Sequence, residues 1–129
     1  MLAQNIVLAN RADHLFVASL CVASSTAACI RDLGSDVVTF VETGVRAKGG
    51  GEEDVACADY ISSLLIDAPL DLADIRDRVL GSHAAAKFSN PGNPDFPGAD
   101  LEHALKIDQF PFAMKVGREN GLLVLRSVR

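Results

Sequence analysis

Tryptophan is absent from this 129-residue chain, and aromatic residues make up only 5% of it. A core must therefore be built from Ala, Val, Leu and Ile, a composition that suits close helix–sheet contacts in a layered α/β domain. No apolar run approaches the roughly 20 residues of a membrane span. The opening stretch "MLAQNIVLANRADH" has no charged leader followed by a long apolar core, so no signal peptide is expected. A basic excess is missing too: 12 Lys and Arg stand against 17 Asp and Glu, for a net charge of -5. That balance argues against a nucleic-acid or anionic-membrane binder. It leaves room for a small anionic substrate, because a local cation or a helix N-terminus can outweigh the global sign. Cys21, Cys29 and Cys57 are odd in number and share no C-x-x-C spacing. They read as reduced thiols of a cytoplasmic protein, not as a disulfide frame or a zinc site. Neither G-x-x-x-x-G-K-[ST] nor G-x-S-x-G occurs, which removes the P-loop and the serine-hydrolase elbow.

What is present is 49% hydrophobic and 22% charged sequence, enough for one globular domain over residues 1–129. Residues 14–20, "HLFVASL", are short, apolar and bounded by polar residues, as a buried strand would be. Residues 21–34 predict a helix of small side chains ending at Gly34, with Ser24, Ser25 and Thr26 starting or decorating it. The β-branched run in "SDVVTFVET", residues 35–43, is the clearest strand pattern. Residues 52–65 place Val55, Ala58, Ile61, Leu64 and Leu65 at helical spacing. A second helical region is expected over 71–88, with Asp71 as N-cap and a break at Gly81. Residues 89–100 hold three of the five prolines and read as a surface loop, followed by one or two helical turns from Asp100 to Lys106. "FAMKV", "GRENG" and "LLVLRSV" predict a C-terminal β-hairpin turning at Asn120-Gly121. Strand–helix–strand–helix order implies a mixed, mostly parallel sheet in a three-layer α/β/α arrangement.

Open α/β sheets bind ligands in the loops leaving the carboxyl ends of their strands. Here that loop is "TGVRAKGGGEED", residues 43–54. Glu52, Glu53 and Asp54 offer hard oxygen donors suited to Mg²⁺, and Arg46 and Lys48 offer cations for a phosphate or sulfonate. The same residues also fit a plain turn and a helix whose first-turn acids favour its positive end. His14, His83 and His103 lie in range for acid–base chemistry but carry no partner motif. Asp95, Asp100 and Asp108 could each supply a carboxylate, although Asp before a turn or helix usually caps it.

In order along the chain, "LFVASLCVASSTAACI", "VVTFVETG", "EEDVACADYISSLL" and "SHAAAKFSNPGNPDFPGADLEHALKIDQFPFAMKV" resemble the C-terminal half of the 2-phosphosulfolactate phosphatase family. The resemblance runs from about Asp13 to Val116. Its most specific part is Glu53-Asp54 followed by Cys57-Ala58, then Ser82-His83, Asp100-Leu101, Leu105, Asp108 and Pro111. It implies Mg²⁺-dependent hydrolysis of a phosphate ester on a small sulfonated hydroxy acid, a step toward coenzyme M. Glu53 and Asp54 would then be catalytic and metal-positioning carboxylates, with Thr43, Gly44 and Arg46 nearest the substrate. Family members are about twice this length, and their N-terminal half carries an acidic-arginine segment and a glycine-asparagine-serine-proline segment that this chain lacks. Val22 stands where the family has Asn, Asp59 where it has a small residue, and Glu42-Thr43-Gly44 where it has Cys-Ala-Gly. A separate N-terminal-half protein is therefore an implied partner, and a homo-oligomer is expected to cover faces left open. The alternative reading is a non-catalytic ligand-binding or interaction domain that has lost the catalytic half.

Overall fold

The computed structural model describes residues 6, 9–43, 51–81, 102–103 and 105–129. Strand β1 (Leu15–Val17) leads through a 3-10 turn (Leu20–Val22) into helix α1 (Ala23–Leu33). Helices α2 (Glu52–Leu65) and α3 (Leu72–Leu80) follow, and strands β2 (Ala113–Glu119) and β3 (Leu122–Val128) close the chain.

Local chemistry sets most of these boundaries. Gly34 ends α1 in the left-handed region at φ 63, where a Cβ would be strained, and its amide donates to the Arg31 carbonyl at 3.0 Å. Asp71 caps α3 by accepting from the Ala73 amide at 2.7 Å. Asn120 and Gly121 both have positive φ, 51 and 78, which matches the twist of a two-residue hairpin turn. Of the helical region expected over 71–88, the structure places Leu72–Leu80 in a helix; residues 82–88 and the proline loop lie outside the described residues.

The core is mainly helical. Ala23 and Ala27 of α1 meet Ala56, Cys57, Tyr60 and Ile61 of α2, while Ile75 and Val79 of α3 close the far side. The three small alanines let the helix axes approach, so dispersion contacts come from backbone as well as side chains. Ile61, 1% exposed, sits at the centre.

The sheet corrects the predicted architecture. Among the described residues three strands run in the order β1-β2-β3 with both pairings antiparallel, so the three-layer, mostly parallel sheet is not found there. Instead of a parallel neighbour, β1 pairs with the C-terminal hairpin: Leu15 lies opposite Val116 and Val17 opposite Met114. Residues 35–43, the clearest strand in the sequence, join no ladder among the described residues. A β-branched run states only that a segment suits a pleated surface; a strand also needs a neighbouring edge. Val37 and Val41 are 80% and 64% exposed.

Candidate functional site

Residues 37–43 leave α1 behind and run, without turn or bend, toward the N-terminus of α2. Where they end, the Asp54 carboxylate accepts from both the amide and the hydroxyl of Thr43, at 2.9 and 3.0 Å. Two residues eleven apart in sequence are thus clamped, and the clamp fixes the orientation of Asp54. Gly51 immediately precedes α2 at φ 99 and offers no capping side chain. The acids Glu52, Glu53 and Asp54 fill the first turn, where the helix dipole favours negative charge.

Thr43 and Asp54 line a cavity of about 770 Å³, within the range of small-molecule sites. Phe16 and Val17 of β1 form one wall, Val38 and Phe40 another, and Cys57 and Ile61 part of the floor. Glu53 does not line it. Adjacent residues on an α-helix point about 100° apart, so only one carboxylate of the Glu53-Asp54 pair faces the cavity. Gly44, Arg46, Lys48 and His83 lie outside the described residues. Arg11 and His14 line the cavity and supply cationic or proton-bearing groups there. Arg11 was not legible as a site residue, because a lone cation ahead of a short strand belongs to no motif. His103 lies away from the cavity, its ring nitrogen 3.2 Å from Lys106 Nζ.

Cys57 is pushed up to about 12 by its burial, and the carboxylates of Asp54 and Asp108 and the Cys21 thiol reinforce that rise. It is therefore a protonated thiol at neutral pH and not a nucleophile. Among the described residues no group of three or more His, Cys, Asp or Glu side chains is gathered closely enough to hold a metal ion. Mg²⁺ needs fewer protein donors, since it keeps waters and binds through one or two carboxylates together with substrate phosphate oxygens. The hard oxygens of Asp54 fit one such position.

A second polar cluster lies at the start of α1. Val22, its N-cap residue, offers no capping side chain. The carboxylate arrives instead from Asp108: its Oδ1 accepts from the Ser24 amide at 2.6 Å, and its Oδ2 accepts from the Ser24 hydroxyl and, at 2.7 Å, from the Tyr60 hydroxyl. The Asp108 amide donates to the Leu20 carbonyl and the Phe110 amide to the Cys21 carbonyl, so this segment is strapped across the turn. Asp108 sits at φ 53, a conformation that Asp and Asn tolerate better than most residues. Burial raises the Tyr60 pKa, with the Asp108 carboxylate adding to the rise against an opposing bond from Ser24, which keeps the phenol a donor. Asp108 is thus a cap, as its type suggested, but for a helix 84 residues away. The legible signal was α1's lack of a cap of its own.

Comparison with known proteins adds to this geometry. The chain is 30% identical over 119 residues to the "Probable 2-phosphosulfolactate phosphatase" of Bacillus subtilis (strain 168). The match takes in 91% of this chain and 51% of the relative, so the chain spans about half of the protein it resembles. No protein-family profile matches the chain, and no solved structure matches it significantly. The resemblance read from the residues is borne out, to part of a phosphatase.

Proposed function

We propose that this chain is the C-terminal-half counterpart of a 2-phosphosulfolactate phosphatase and contributes to hydrolysis of a small anionic phosphate ester, phosphosulfolactate in the first instance. The observation that carries this reading is the coincidence of the similarity with a cavity that ends at Thr43 and Asp54. Thr43 holds one oxygen of Asp54 through two hydrogen bonds, so the carboxylate is oriented before any ligand arrives. Arg11, on the same cavity, offers a forked donor to a phosphate or sulfonate oxygen. In the reaction a water oxygen bonds to phosphorus, the phosphorus–oxygen ester bond breaks, and the leaving alkoxide takes a proton, giving sulfolactate and inorganic phosphate. Asp54 positions that water. Asp54, with Glu53 beside it in sequence, would hold Mg²⁺, which would supply neutralisation of phosphoryl charge.

The family's acidic-arginine and glycine-asparagine-serine-proline segments are not found in these 129 residues, and a polypeptide carrying the unmatched half of the relative is proposed to raise turnover. The test is phosphate release from 2-phosphosulfolactate with Mg²⁺, by this chain alone and with the unmatched half of the Bacillus relative. Release by the mixture above the sum of its parts supports the reading; none in either case refutes it. Among the described residues no helix is long and apolar enough to cross a membrane, and a cytoplasmic location belongs to the same proposal. Self-association is also proposed, on the strength of the exposed leucines Leu122 and Leu125 of β3. Light scattering at micromolar concentration checks it, and a monomer refutes it.

A further inference from the structure

The body of the 770 Å³ cavity has the form of a missing piece of sheet. In the order β1-β2-β3, β2 takes one edge of β1, and among the described residues the other edge of β1 is unpaired. That strand, through Leu15, Phe16 and Val17, lines the cavity. The facing wall is residues 37–41, which have the composition of a strand and no ladder among the described residues. Below both lie Thr26 and Ile30 of α1 with Cys57 and Ile61 of α2. On the other flank of the same segment a second opening of about 370 Å³ runs past Val38 and Phe40 to Leu65. The segment therefore borders both openings, and its Val37 and Val41 are exposed where a sheet would bury them, with Val38 half-buried.

We infer that the space between β1 and residues 37–41 is a slot for one further β-strand, supplied by the part of the phosphatase fold that lies outside the matched residues. Sequential strands joined by a helix need not be neighbours; a crossover can leave one position between them. A strand inserted there pairs with β1 on one edge and with residues 37–41 on the other, so two edges that are unpaired among the described residues are closed together. Its face toward Thr26, Ile30, Cys57 and Ile61 must be apolar, and it must lack proline. The source is argued from length: the chain accounts for only 51% of its relative, leaving a comparable span of polypeptide to furnish the strand. The Thr43–Asp54 end lies beyond the slot, at the carboxyl end of residues 37–43, where an α/β sheet presents its ligand. The inference shares with the functional reading the similarity to the relative, but it concerns assembly and is separable from catalysis.

The experiment mixes the intact chain with a fragment of the Bacillus relative comprising the residues outside the matched 119. Complex formation is followed by light scattering, and hydrogen exchange is measured on both. The expected result is a complex holding the two polypeptides in equal numbers, in which the amides of residues 15–18 and 37–41 become protected. Along a strand successive amides point to opposite edges, so Val38→Pro and Thr39→Pro should differ. One of them should weaken the complex about tenfold more than the other, from loss of a ladder bond. Absence of a complex, or protection confined to other segments, overturns the inference. So does a dimer of this chain alone with residues 37–41 already protected, since a second copy is then the occupant. A complex with the expected protection and no phosphatase activity sinks the functional reading and leaves the slot standing. Turnover by the chain alone with residues 37–41 exchanging freely does the reverse.

Discussion

Replacement of Asp108 by alanine removes the carboxylate that ties the 105–110 segment, the first turn of α1 and Tyr60 of α2 together. Three donors lose their acceptor: the Ser24 amide, the Ser24 hydroxyl and the Tyr60 hydroxyl. A hydrogen bond to a charged group contributes about 1.5–3 kcal/mol, but the three share one half-buried carboxylate and cannot simply be added. The Ser24 groups are half-buried and regain water, whereas Tyr60 is 5% exposed and its hydroxyl loses its best acceptor. Alanine at φ 53 adds strain of roughly 1 kcal/mol. The expected cost of Asp108→Ala is about 3–5 kcal/mol. Asp108→Asn tolerates the same backbone and keeps one acceptor oxygen, so it should cost about 1–2 kcal/mol. Tyr60→Phe, which removes one donor and leaves the ring packed, should cost about 1 kcal/mol. Urea unfolding followed by circular dichroism reads these as shifts in midpoint at constant slope. A cost below about 1 kcal/mol for Asp108→Ala would show that the strap contributes little, and equal costs for Asn and Ala would show that the acceptor oxygen and backbone tolerance retained by Asn contribute nothing.

Other consequences can be checked on the same protein. The Cys57 thiol titrates near 9 when unfolded and near 12 when folded, so its contribution to stability is complete below pH 9 and lost as pH rises from 9 toward 12. Tyr60, raised from 10 in the fold, adds a loss above pH 10, and Cys57→Ala should leave only that part in a pH series of unfolding midpoints. In thiol-reagent titration at pH 8 the folded chain should leave Cys57 unmodified until it opens. Ile61→Ala should destabilise by about 2–5 kcal/mol by opening a void between α1, α2 and α3, measured by the same urea series. Asp71→Ala should cost about 1 kcal/mol through loss of the α3 cap.

The helices and the hairpin were readable because their signals are local. The 3.6-residue spacing of residues 52–65, the left-handed Gly34 and the Asn120-Gly121 turn each act within a few residues of where they stand, and all three are found as expected. Sheet topology was not readable in the same way. Whether "VVTFV" becomes a strand depends on an edge elsewhere in space, and the C-terminal hairpin takes one edge of β1 while no described residue pairs with the other. The candidate site divides along the same line. Thr43 and Asp54 meet as neighbours of one loop can, whereas Glu53 shares the loop but faces another way round the helix. Asp108 was visible as a capping residue; that it caps α1 and holds Tyr60 follows from tertiary contacts that no spacing encodes. The departures at Glu42 and Asp59 flank the same site, and Asp59 pairs with Arg78 of α3 at 2.7 Å, a surface role that explains its presence on α2.

The most direct measurement is phosphate release from 2-phosphosulfolactate by the chain with its complementary half, comparing the native protein with Asp54→Asn. Asparagine retains an acceptor for Thr43, so the fold and the unfolding midpoint should hold. On the proposed reading the charge that would orient water and metal is lost, and kcat should fall roughly 100-fold or more. A native-like rate in Asp54→Asn, with substrate turned over normally, would contradict the assignment of this carboxylate and of the cavity end it occupies.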